Sequence, residues 1–210
     1  MEVIARSIDI IYRGGPVMIP LLFSSVVAVA VMIERFLVLR RASANHEDLM
    51  EAVKRRLLSG DAEGAIALCE STPGPVAAVL ASGLRARHLS SKEIERQMEE
   101  TALSEIPRLQ SRLVWLDTII TVAPLLGLLG TVIGMISAFQ VIGRSGASQP
   151  TAITGGVAEA LIATATGLTI AIVTLVGYNY LSDRVKQVAS EIELRATQLL
   201  NILDSTKERI

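Results

Sequence analysis

Three runs of this chain contain no Asp, Glu, Lys or Arg: Gly14 to Ile33, Thr118 to Gly143 and Ala160 to Ser182. A helix needs about 20 residues to cross the hydrocarbon core of a bilayer, and each run reaches that length. Inside hydrocarbon every backbone polar group must be paired within the structure, so runs of this kind are helices. Half of the 210 residues are hydrophobic and mean hydropathy is +0.48. Too little polar chain remains to cover three such helices as the core of a soluble protein. The expected fold is therefore an all-α membrane protein with three transmembrane helices.

The basic residues orient it. Arg35, Arg40 and Arg41 follow the first run, Lys92, Arg96, Arg108 and Arg112 precede the second, and Arg184 and Lys186 follow the third. Only Arg144 lies between runs two and three, and only Arg6 and Arg13 precede run one. By the positive-inside rule the expected order is an extracytoplasmic N-terminus (1–13), helix one (14–39), a cytoplasmic segment (40–115) and helix two (116–143). A short extracytoplasmic loop (144–156), helix three (157–181) and a cytoplasmic tail (182–210) complete it. Trp115, Tyr178 and Tyr180 then sit at the inner membrane boundary, where an aromatic belt belongs. The N-terminal run lacks a small-x-small cleavage site and is expected to stay as an anchor.

The cytoplasmic segment reads as helical. Asn45 is placed to cap a helix carrying Leu49, Val53 and Leu57, ended at Ser59-Gly60-Asp61. A second short helix reaches about Ser71, before Pro73-Gly74-Pro75. Ser90 and Glu93 form a capping box, and Ile94, Met98, Leu109 and Leu113 carry helical spacing up to the membrane. Helices two and three are thus expected to extend into the cytoplasm, with Pro107 and Pro124 as bending points. About 70 residues outside the membrane are few for an independent core, so this segment is expected to be a bundle extension completed by copies of the chain. One cysteine, Cys69, excludes an internal disulfide and is expected to be a small buried residue. A net charge of −1 without a basic, aromatic-interleaved patch gives no sign of nucleic-acid binding.

Runs two and three share a pattern. Gly127, Thr131, Gly134 and Ala138, and likewise Ala160, Thr164, Gly167 and Ala171, fall at i, i+4, i+7 and i+11, one helix face each; Gly130 adds to the first stripe. Small residues let membrane helices approach closely, and a hydroxyl can hydrogen-bond there without carrying charge. A lone threonine usually bonds back to a carbonyl one turn earlier. Two in matching stripes on antiparallel helices point to a shared wet or partner-facing surface. Ionisable residues at membrane depth are functional candidates, and Glu159 is the one at the mouth of helix three. It is either an interfacial carboxylate reaching water or, given the small hydroxylic residues after it, the head of a polar route. Five residues turn a straight helix by about 140° from Glu159, so Thr166, not Thr164, would share its face unless the helix bends. Mid-membrane there is no Asp, Glu, Lys, Arg or His, and both histidines, His46 and His88, are cytoplasmic. A proton crossing here would need a protonatable group from a second protein.

The motifs Ala123-Pro-Leu-Leu-Gly-Leu-Leu-Gly-Thr131-Val-Ile-Gly-Met and Ala158-Glu159-Ala-Leu-Ile-Ala-Thr164-Ala-Thr-Gly-Leu, with the first helix ending in Glu34-Arg35, resemble the MotA/TolQ/ExbB proton-channel family, in its ExbB/TolQ branch. The resemblance implies a homo-oligomeric ring of five copies in a bacterial inner membrane, lined by helices two and three. It implies a single-pass, ExbD/TolR-like partner inside, carrying a membrane aspartate, and a TonB/TolA-like protein beyond it. Thr131 and Thr164 match the family's pore threonines and Glu159 its pore-mouth glutamate. The implied function is a stator subunit coupling the proton gradient to work across the envelope: outer-membrane import, envelope integrity or motility. No cofactor or metal is implied. A structural membrane scaffold without ion conduction is the competing reading. A solute permease would need broken helices and a central site, and no nucleophile–base or metal-ligand set suggests an enzyme.

Overall fold

The computed structural model describes residues 14–42, 46–145 and 150–207. The expected 1–13 segment, the Asn45 cap and residues 146–149 of the loop lie outside that description. Seven helices are described: α1 (Met18–Ala42), α2 (His46–Leu58), α3 (Ala62–Ser71), α4 (Pro75–Arg85), α5 (Ser91–Gln110), α6 (Leu113–Ser145) and α7 (Pro150–Lys207). No strand occurs among the described residues. Stretches within Met18–Arg40, Ser91–Val141 and Thr154–Ser205 are long and apolar enough to cross a membrane. The chain divides into two compact units, Met1–Ile33 with Arg112–Asn179, and Glu34–Ser111 with Tyr180–Ile210.

In the first unit α6 and α7 pack antiparallel through small residues. A Cβ at Gly127 would stand 3.0 Å from the Thr164 Cα, and one at Gly134 would stand 2.7 Å from the Gly156 carbonyl. One at Gly156 would come within 2.9 Å of the Ala138 Cβ, and Gly167 abuts the Ala123 carbonyl. Backbones this close are possible only because the side chains between them are absent or a single methyl. The N-terminal part of α1 and the turn before it run parallel to α7: Gly14 lies by Ile162, Gly15 by Glu159 and Met32 by Gly177. Away from these contacts the unit is apolar and uncovered, with Phe23, Phe139 and Val176 all more than 60% exposed (71%, 63% and 67%). Such a surface is incompatible with a monomer standing in water and suits contact with lipid or other membrane helices.

The second unit has a core of its own. Val53, Ala65, Val76, Leu80, Leu84, Ile94, Ile192 and Leu199 are buried. Its helices are locally specified. Gly60 (φ +80°) turns the chain after α2, and the Asp61 side chain caps α3 by accepting from the Gly64 N–H at 2.9 Å. The Ser90–Glu93 capping box opens α5, with the Ser90 N–H donating to the Glu93 carboxylate at 3.0 Å. Hydrogen bonding holds the Glu93 carboxyl below its ordinary value of 4.5.

Three features depart from the sequence expectations. The segment expected to be cytoplasmic closes a core within one chain, because the C-terminal part of α7 supplies a stripe (Val185, Val188, Ile192, Leu199) and an extra helix, α4, fills the centre. Pro75 at the first position of α4 is the start signal that goes with Val76, Val79, Leu80 and Leu84. Helix two is not continuous from Ser90: Arg112 adopts φ +68° and separates α5 from α6, whereas Pro124 lies inside unbroken helix. Finally, α6 runs to Ser145 and α7 starts at Pro150, so residues 144–145 and 150–156 of the expected 144–156 loop are already helical.

Arg35, one of the basic residues that follow the first charge-free run, is buried (6% exposed). Its guanidinium donates to the Glu34 carboxylate (2.9 Å), the Ser111 hydroxyl oxygen (3.2 Å) and the Arg108 carbonyl (3.4 Å). The last carbonyls of a helix lack intrahelical partners, and a cation there satisfies them. Arg35 thus secures the end of α5 at the break.

Candidate functional site

The α6–α7 seam positions the two threonines. On α6, the contact residues Ala123, Gly127, Gly130, Gly134 and Ala138 form a stripe of four- and three-residue steps; on α7 the matching row is Gly156, Ala160, Ala163 and Gly167. Thr131 follows Gly130 by one residue and Thr164 follows Ala163 by one, a turn of about 100° in each case. The Gly130 side of the seam is the side of α1, since a Cβ there would meet Val17 at 3.7 Å. Because the helices are antiparallel, a one-residue advance on each carries both threonines to the same edge of the seam, the edge away from α1.

Their hydroxyls do different things. Thr164 donates across the seam to the Gly127 carbonyl at 3.0 Å. Thr131, one turn on from Gly127, bonds back to the Leu128 carbonyl at 2.7 Å. Both are partly exposed, so each hydroxyl oxygen keeps acceptor capacity toward that edge. The Gly127 carbonyl also lies on the helical ladder opposite the Thr131 N–H, which ties the two threonines through one carbonyl.

Glu159 lies elsewhere. Its carboxylate occupies the space that a Cβ at Gly15 would take, so it packs on the glycine turn that leads into α1. Gly15 has φ +71°, a conformation glycine reaches without strain. Thr166, which shares the Glu159 face, bonds back to the Ile162 carbonyl at 2.8 Å, and buried Thr174 to the Ile170 carbonyl at 2.7 Å. The angular conflict between Glu159 and Thr164 is thereby resolved without a bend: the two side chains face different neighbours. Ala160 and Ala171 are buried, the former 3.2 Å from a Cβ at Gly134. The role of Gly15 was missed in the sequence reading, although Gly14-Gly15-Pro16 before an apolar run is a turn signal that marks it. Gly156 was also missed as a seam residue.

Taken together, the chain is a multi-pass helical membrane protein in which a closely packed helix pair presents hydroxyls along one edge. It matches the MotA/TolQ/ExbB proton channel family over residues 71–194, which takes in α4, α5, α6 and most of α7. A biopolymer transport protein named ExbB-like 3, from Synechocystis sp., is 36% identical over 169 residues, covering 79% of this chain and 80% of its own. A second from the same organism, named ExbB-like 1, is 35% identical over 205 residues, covering 90% of this chain and 78% of its own. The Tol-Pal system protein TolQ of Haemophilus influenzae is 43% identical over 98 residues, covering 46% of this chain and 42% of that protein. This chain belongs to the MotA/TolQ/ExbB proton channel family.

Proposed function

We propose that the chain is the ring-forming subunit of an inner-membrane proton-driven motor of the ExbB/TolQ type. Five copies enclose an axis toward which the threonine edge of each α6–α7 pair is turned, with the N-terminus outside and the C-terminus in the cytoplasm. The observation that carries this reading is the pairing of Thr131 and Thr164 on one edge of a tightly closed seam, in a membrane interior without an acid or base. Hydroxyls neither gain nor lose a proton readily, but they hold water and hydrogen-bond a carboxylate. A single-pass partner therefore supplies the titrating aspartate, and Thr131 and Thr164 receive it. Glu159, on its Gly15 seat beside α1 and off the threonine edge, gathers cations at the outer rim. A TonB/TolA-like protein takes up the resulting motion. One charge crossing about 100 mV yields about 2.3 kcal/mol, so several protons are needed for substantial work.

The test is proton flux in liposomes holding the complex with its single-pass partner. Thr131→Val and Thr164→Val should each suppress flux while the complex still assembles, and the partner's Asp→Asn should do the same. Full flux in the double valine variant would assign the stripes to packing alone, as in a non-conducting scaffold.

A further inference from the structure

Within the second unit, α1 and α7 enclose a cavity of about 320 Å3 lined by Phe36, Leu39, Arg40, Tyr180, Leu181 and Arg184. Leu39 and Leu181 are buried and form an apolar floor. Phe36 and Tyr180 form an aromatic wall, their ring centroids 6.2 Å apart. Arg184 stands over the Tyr180 ring at 5.3 Å, its Nε–H donating to the Tyr180 hydroxyl at 3.2 Å and its Nη1 to the Gln187 side-chain oxygen at 3.0 Å. These contacts orient the guanidinium and leave most of its five N–H donors uncommitted. Arg40 lines the same space, and among the described residues neither arginine forms an ion pair. Two arginines lining one cavity, neither of them ion-paired among the described residues, fit an oxyanion that accepts from both.

The position narrows the ligand. Arg184 lies two residues past the third charge-free run, after Asp183, whose carboxylate accepts from the Gln187 amide at 2.8 Å, and Arg40 follows the apolar Phe36-Leu37-Val38-Leu39 beyond the end of the first. Both therefore lie at the cytoplasmic boundary, where an amphipathic tyrosine and basic side chains meet lipid headgroups. Phe36, on the cavity wall, is exposed and offers apolar contact to an acyl chain. We propose that this cavity binds the phosphodiester headgroup of an anionic phospholipid from the inner leaflet, with Arg40 and Arg184 as its ligands and Tyr180 as the group that aims Arg184. The cavity matches the small end of ligand sites and admits a phosphate with its glycerol. A zwitterionic headgroup brings its own cation against the two arginines and is disfavoured. The proposal depends on the membrane placement of the chain and not on proton conduction.

Native mass spectrometry of the detergent-purified full-length protein tests it, with dioleoyl phosphatidylglycerol, dioleoyl phosphatidylcholine or inorganic phosphate added. Wild type should retain phosphatidylglycerol about 10-fold better than phosphatidylcholine, and R40Q/R184Q should erase that preference while R40K/R184K keeps most of it. Both side chains are exposed at the cavity mouth, so the Gln variant should melt where wild type does. Equal retention of the two lipids by wild type overturns the proposal, as does an unchanged preference in R40Q/R184Q. Displacement of phosphatidylglycerol by millimolar inorganic phosphate, with phosphate retained in its place, would overturn the lipid assignment in favour of a free anion.

Discussion

Replacing Thr164 by valine separates packing from chemistry at the seam. Valine keeps the branched shape and removes only the hydroxyl that donates to the Gly127 carbonyl at 3.0 Å. Interhelical hydrogen bonds of this kind in membranes average about 0.6 kcal/mol and reach about 1.7 kcal/mol. The Gly127 carbonyl keeps its partner in the helical ladder, so no orphaned acceptor adds to the loss. The expected destabilisation is therefore about 1 kcal/mol, a few degrees in melting temperature for a chain of this size. Trp115 fluorescence on heating the detergent-solubilised complex would read it. Proton flux, by contrast, should fall at least about tenfold, and Thr164→Ser should restore most of it, because the serine hydroxyl can make the same contacts. Gly167→Val provides the opposite control. A Cβ there already collides with the Ala123 carbonyl and stands 3.2 Å from the Gly127 Cα, so the seam opens and assembly and flux are lost together. A Thr164→Val complex that melts near wild type and conducts normally would refute the assignment of Thr164 to the proton path. Loss of flux that merely tracks loss of assembly would refute it too.

Gly15→Ala should cost about 1–2 kcal/mol from its left-handed backbone alone and should also push Glu159 off its seat, lowering flux more than Thr166→Ala does. The depressed Glu93 carboxyl contributes stability above its ordinary value of 4.5, which is lost as pH falls through the depressed value. In Ser90→Ala the acid-side stability profile should flatten in part, since the hydroxyl bond that does most to hold Glu93 ionised is lost while the backbone N–H bond remains, and an unchanged profile would contradict this. Burial beside Glu70 pushes the Cys69 thiol up to about 11, so iodoacetamide should label it at neutral pH only after unfolding; rapid labelling of the native protein would count against its placement.

Much of this protein is legible without coordinates, because the signals are local. Charge-free runs mark the membrane helices, Ser90 with Glu93 marks the start of α5, and the spacing of Gly127, Thr131 and Gly134 marks a shared face. A period of 3.6 residues states which side chains travel together. It does not state what they meet. That Thr164 reaches across to Gly127 while Glu159 turns to Gly15 depends on how three helices pack, and neither is encoded within one of them. The helix break at Arg112 likewise has no glycine to announce it, and it is secured by Arg35, more than 70 residues away in sequence. The closed second core is of the same kind, since its missing face comes from the tail of α7. The sequence by itself determined the solvent of each segment and the face each helix would offer, because hydropathy and helical period are properties of neighbouring residues. Tertiary structure alone decided the partners of those faces, because close approach and burial depend on segments far apart in the chain.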